Sequence, residues 1–141
     1  MRALPVTRRP VGLAALAAAV LCGRAGAIEL TARERAGKTI YLEGLRPSGD
    51  EIRARLGRDG TELPASSVPC GSCHGDGGLG RAEGGTKPSP ITWSELAKAY
   101  GHVHGPRKHG PFDARSFGRA VTDGLDPAGN PLDAAMPLYA M

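Results

Sequence analysis

An all-α, loop-rich single domain is the fold class that the sequence predicts, and three observations predict it. Helix signals, in which a capping residue precedes apolar positions three and four apart, occur at three places, and no βαβ pattern is visible. Glycine and proline are abundant, at 21 and 12 of 141 residues, which favours long loops. Aromatic side chains are scarce: Trp93, Tyr41, Tyr100, Tyr139, Phe112 and Phe117 are all of them, leaving little side-chain volume to fill a core.

Residues 1–27 read as a secretory signal peptide. Arg2, Arg8 and Arg9 make a basic start, Val11–Leu21 is an apolar stretch rich in alanine, and Ala25-Gly26-Ala27 is a small-x-small cleavage pattern, giving a mature start at Ile28. The apolar run falls short of the roughly 20 residues that span a bilayer, so no transmembrane span is expected after cleavage. Cys22 precedes the cleavage point, which leaves Cys70 and Cys73 as the cysteines of the mature chain. The 114 residues from 28 to 141 suit one domain.

Thr31 and Glu34 form a capping box, which predicts a helix from there through Ala36, Ile40 and Tyr41 to a stop at Gly44. Residues 45–69 read as loop, with a short helix from Asp50 to Leu56. Gly75–Pro90, with six glycines and two prolines, reads as loop. Ser89 or Thr92 caps a short helix whose apolar face is Trp93, Leu96 and Tyr100. The stretch with His102, His104 and His109 lies among glycine, proline, Arg107 and Lys108. It reads as an exposed polar loop, with a second metal site or an alternative axial histidine as the sharper reading. Asp113 caps a helix through Phe117, Ala120 and Val121 to Gly124, and Asp126–Asn130 is a turn.

Cys70-Gly71-Ser72-Cys73-His74 is the most informative run in the chain. C-x-x-C-H is the attachment signature of a c-type haem. Two thiols three residues apart can add across the two vinyl groups of one porphyrin, and the adjacent imidazole then lies where it can bind the iron. Zinc and thiol redox chemistry are the alternatives. A redox-active C-x-x-C sits beside a βαβ pattern, and a closed zinc site wants four ligands, typically with a second Cys or His pair. One covalent haem c is therefore expected on Cys70 and Cys73, with His74 on the iron. It would supply apolar surface that the chain lacks, so the haem-free chain is expected to be largely unfolded.

Met136 is the interior candidate for the opposite ligand. Met1 leaves with the signal peptide, and Met141 is the final residue, where a ligand is poorly held. Pro137 restricts Met136 to an extended conformation. A thioether ligand raises the reduction potential, whereas the plainer use of a methionine is core filling.

Together these residues resemble a class I c-type cytochrome of the monohaem, bacterial periplasmic kind. The resemblance rests on Gly37 and Tyr41, Cys70-x-x-Cys73-His74-Gly75, Glu83-Gly84-Gly85, Ile91-Thr92-Trp93, Asp126–Leu132 and Met136-Pro137-x-Tyr139. It implies a small helical domain wrapped around one haem with His74 and Met136 as axial ligands. It also implies a proline-containing loop whose carbonyl takes the second ring N–H of His74, at Pro88 or Pro90, and Trp93 at the haem edge, a propionate or the core. Two features depart from the family. The stretch between Tyr41 and Cys70 is long and is expected to form a flap. The chain ends five residues after Met136, where class I domains continue into a helix crossing the N-terminal one, so a C-terminally truncated domain is expected.

Charge and composition narrow the function. The chain has 18 basic and 14 acidic residues, but four arginines and no acids lie in 1–27, leaving 14 of each. The basic balance belongs to the leader, and nucleic-acid binding loses its support. No catalytic triad, phosphate loop or acid–base carboxylate pair stands out, so the chain is not expected to be an enzyme. An exported, periplasmic electron carrier exchanging electrons with redox partner proteins is the leading expectation. The alternatives are a haem subunit of a periplasmic dehydrogenase or oxidase, and a ligand-binding haem sensor if the iron is open.

Overall fold

The fold is mixed α/β rather than all-α. In the computed structural model, which describes residues 28–57, 59–82, 85 and 87–141, four helices are accompanied by five short strands in two antiparallel sheets. The leader at 1–27, and Glu83 and Gly84 of the family pattern, lie outside the described residues.

The correction begins at the segment expected to be a helix from Asp50 to Leu56. Its burial alternates with period two: Ile52 and Ala54 are buried while Arg53 and Arg55 are exposed, and that alternation fits a strand, not a helix. Strand β1 (Arg53–Leu56) turns back through Gly57 and Gly60, both at positive φ, into β2 (Thr61–Pro64), with Leu56 opposite Thr61 and Arg53 opposite Pro64. The other edge of β1 is covered by β5 (Leu138–Ala140), with Ala54 opposite Tyr139, so the order is β2-β1-β5. The expected flap is therefore the outer hairpin of a sheet closed by the end of the chain. The cross-strand pair Arg53–Glu62, at 3.2 Å, is more than half exposed on both sides and adds little.

The helix signals flanking that sheet are realised. Helix α1 (Ala32–Glu43) starts at the Thr31/Glu34 capping box and stops at Gly44, which is left-handed at φ 68°. Gly44 lies so close to the one-turn 3₁₀ helix Ala65–Ser67 that a Cβ there would sit 2.4 Å from the Ala65 backbone. Helix α4 (Ala114–Asp123) has the same design, with Asp113 accepting from the Ser116 N–H at its start and left-handed Gly124 at its end. The core lies between these pieces: Ile52, Ala54, Ala65, Val121 and Tyr139 form one buried cluster, with Ile40, Val68, Cys70 and Met136 packed around it. It is small, and α1 buries none of its residues fully.

Two loops differ from expectation. Thr92 caps α3, which runs only from Trp93 to Leu96; Leu96 is buried, while Trp93 and Tyr100 remain 55% and 80% exposed. The histidine-rich segment is a hairpin, β3 (Val103–His104) and β4 (Arg107–Lys108), rather than a free loop. A buried carboxylate anchors it. Asp126, with 0% exposure, accepts from the backbone N–H of Ala128 and Asn130 and the side chain of Asn130, and pairs with Arg107 at 3.3 Å. Asn130 also donates to the Lys108 carbonyl, which ties the 126–130 turn to β4. Among the described residues, no helix is long and apolar enough to cross a membrane.

Two outcomes follow for stability. Gly44→Ala is expected to cost about 3 kcal/mol, because a left-handed residue gains both Cβ strain and a clash with immovable backbone. Gly60→Ala, with the same sign of φ and open space around it, should cost only about 1 kcal/mol; equilibrium denaturation of the two variants gives the comparison. Burial works to raise the Asp126 pKa, but the hydrogen bonds from Asn130 and Ala128 outweigh it and hold the group below its ordinary 3.8. A carboxylate whose folded pKa lies below its unfolded one stabilises fully above the unfolded value and loses that contribution as pH falls through the folded value. Asp126→Asn should flatten that acid limb and cost about 2 kcal/mol at neutral pH by stranding Arg107, as read from stability against pH.

Candidate functional site

Helix α2 is only the five residues Cys70–His74. Positions 70, 73 and 74 are related as i, i+3 and i+4, so both thiols and the imidazole share one face. Gly71 backs the helix onto α1: a Cβ there would meet Leu42 at 3.1 Å and the Tyr41 ring at 3.5 Å. Two tyrosines fasten the ends. The Tyr41 hydroxyl donates to the Gly75 carbonyl at 2.5 Å, and the Tyr139 hydroxyl to the Val68 carbonyl at 2.6 Å. Neither contact was foreseen from the sequence, although both tyrosines stood in the quoted motifs.

Both cysteines are free thiols, Cys70 half-buried and Cys73 exposed. Burial pushes the Cys70 thiol above its ordinary 9.0, with the neighbouring Tyr139 hydroxyl pulling the other way. Cys70 is therefore protonated at neutral pH and guarded from casual oxidation. The His74 Nδ1 lies 2.9 Å from the Ser89 carbonyl. A carbonyl only accepts, so Nδ1 carries the hydrogen and Nε2 keeps its lone pair. Burial lowers the His74 pKa, against the opposing pull of the Ser89 bond, which favours the neutral imidazole a metal needs. The acceptor is thus Ser89, between Pro88 and Pro90, rather than either proline.

Met136 is half-buried against the same core cluster as Cys70. Its backbone N–H closes a turn on the Asp133 carbonyl, and Pro137 and strand β5 follow directly. The thioether is therefore held between a turn and a sheet strand, on the cluster that also receives Cys70 of α2. Trp93 is exposed and does not fill the core, and Arg107 is engaged by Asp126. His102, His104 and His109 come together on the hairpin, and Ser89 reaches them as well, its hydroxyl 3.3 Å from His104 Nδ1.

The donor set fits a haem: two free thiols and a neutral imidazole on one face, with a thioether on the neighbouring cluster. The packing fits as well. The protein buries few apolar side chains while leaving Leu79, Trp93, Tyr100 and Val103 more than half exposed, and a large apolar group would cover such surface. A groove of about 400 Å³ runs beside α2 but is lined by Leu42, Gly71, Gly75 and Arg81, with neither thiol nor His74, so it is not where the motif's chemistry lies.

Tyr139→Phe is expected to destabilise the protein by about 1 kcal/mol, since it removes the donor to Val68 and loosens β5 against α2; thermal or denaturant unfolding measures it.

Compared with known proteins, the chain matches no family model, no curated protein and no solved structure.

Proposed function

We propose that the chain is an exported, periplasmic electron-transfer protein carrying one covalent haem c, attached through Cys70 and Cys73 and ligated by His74 and Met136. The observation that carries this reading is the His74 arrangement: Nδ1 is committed to the Ser89 carbonyl, which leaves the lone pair on Nε2, and the imidazole stands on the same five-residue helix as both thiols. That bond fixes the tautomer and raises the basicity of the other nitrogen, as metal-bound histidines require. The motif resemblance to class I c-type cytochromes supports the same reading, without their all-α architecture.

The haem, when bound, supplies a one-electron couple. The protein's part is to hold His74 and Met136, the two residues that would bind the iron, each in a fixed setting. His74 is held by Ser89, and Met136 by its turn, Pro137 and β5. With both residues bound, the iron would have no position left for substrate, which would suit electron passage between redox partner proteins.

The test is the visible spectrum of the protein exported with haem-attachment machinery. A low-spin reduced c-type spectrum is expected, with a weak far-red sulfur-to-iron band when oxidised, and Met136→Ala should abolish that band and lower the reduction potential. Carbon monoxide binding to the reduced wild-type protein would replace the carrier by a ligand-binding haem protein. Absence of covalent haem would end the proposal and return Cys70 and Cys73 to zinc or thiol chemistry.

A further inference from the structure

The β3–β4 hairpin gathers three histidines by simple register. Alternate residues of a strand share a face, so His102 and His104 point the same way. The His109 N–H donates to the His102 carbonyl at 3.2 Å, one step beyond the Val103–Lys108 pair, which sets His109 across from His102. The rings accordingly stack: His109 lies 4.8 Å from His102 and 5.5 Å from His104 between centroids, and Phe112 meets its edge at 5.1 Å. One ring nitrogen from each histidine lies within 4.8 Å of the others.

Each ring also has one nitrogen in a hydrogen bond. His102 Nε2 donates to the Lys98 carbonyl at 2.8 Å, and His109 Nδ1 to the Gly110 carbonyl at 2.7 Å, while His104 Nδ1 faces the Ser89 hydroxyl at 3.3 Å. With a carbonyl as acceptor, His102 and His109 must carry their hydrogen on the engaged atom, so Nδ1 of His102 and Nε2 of His109 hold lone pairs. This is the outer hydrogen bonding that orients metal-bound imidazoles. Arg107, whose charge acts on His104, opposes metal binding, but Asp126 neutralises it at 3.3 Å.

From this geometry we propose that His102, His104 and His109 form a second metal site, for a borderline divalent cation such as Zn²⁺, independent of whether haem is attached. Three imidazoles with no thiolate or carboxylate suit Zn²⁺ and Cu²⁺ and disfavour Ca²⁺ and Mg²⁺. Zinc–nitrogen bonds of about 2.1 Å put tetrahedral ligand atoms about 3.4 Å apart, so the stacked rings must fan inward by about 1.4 Å at most. Side-chain rotation of half-buried rings on a two-residue hairpin provides that. The fourth position falls to water.

The experiment is calorimetric titration of the exported protein, as it is produced with or without haem, with ZnCl₂. One equivalent is expected to bind with a dissociation constant in the micromolar range or below. His104→Ala and His109→Ala should each weaken binding at least tenfold, and Ser89→Ala, which keeps the carbonyl that serves His74, should weaken it less. Mass spectrometry after diethyl pyrocarbonate treatment gives a readout that needs no variant, with Zn²⁺ protecting His102, His104 and His109. Binding only in the millimolar range, unchanged affinity when all three histidines are replaced, or equal modification with and without Zn²⁺ would each overturn the site.

Discussion

The approach of α2 to α1 is the constraint on which the rest of the molecule depends. A Cβ at Gly71 would lie 3.1 Å from Leu42 and 3.5 Å from the Tyr41 ring, so the five-residue α2 packs closely onto its neighbour by its bare side. That orientation leaves Cys73 exposed, while Cys70 and His74 stay half-buried. Five residues do not hold a helix by themselves. The segment persists because hydroxyls from two distant tyrosines take up carbonyls at its ends and because Cys70 shares the central cluster with Ile52, Val121 and Met136. Position, and not helix propensity, is what the surroundings supply.

The sheet solves a second difficulty. A chain whose buried apolar residues include three alanines gains little from each contact, since an alanine removes little apolar area from water. The backbone makes up the difference. Pairing β1 on both edges satisfies its polar groups and lets Ile52, Ala54 and Tyr139 close on Val121 with little side-chain bulk between them. The close contact of Gly44 with Ala65 does the same at the other end of α1. The result is a framework held by backbone proximity, with apolar side chains left over at its rim.

What was legible in the sequence was local. Thr31 with Glu34, Asp113, Gly44, Gly124 and the Asp126–Asn130 turn each declare themselves within four or five residues, and each is realised. The Cys70, Cys73 and His74 spacing was legible for the same reason, and it falls on one short helix. The all-α reading failed where strands of two to four residues carried too few positions for a period to register; Arg53-Ala54-Arg55-Leu56 shows the alternation only once its partners are known. β5 depends on a strand more than eighty residues away, and no short-range signal marks it. Ser89 was missed because its contribution to His74 is a backbone carbonyl, which any residue type provides; the resemblance pointed instead to Pro88 or Pro90 on either side.

Ser89 gives the molecule an unusual wiring. Its carbonyl holds the proton of His74 and its hydroxyl touches His104, so two histidine centres on separate elements meet at a single residue. Coupling between sites is ordinarily carried through chains of packed groups, each of which dilutes a displacement. If both sites are occupied as proposed, a shift of the hairpin that moved Ser89 would reach the His74 ring through that one residue.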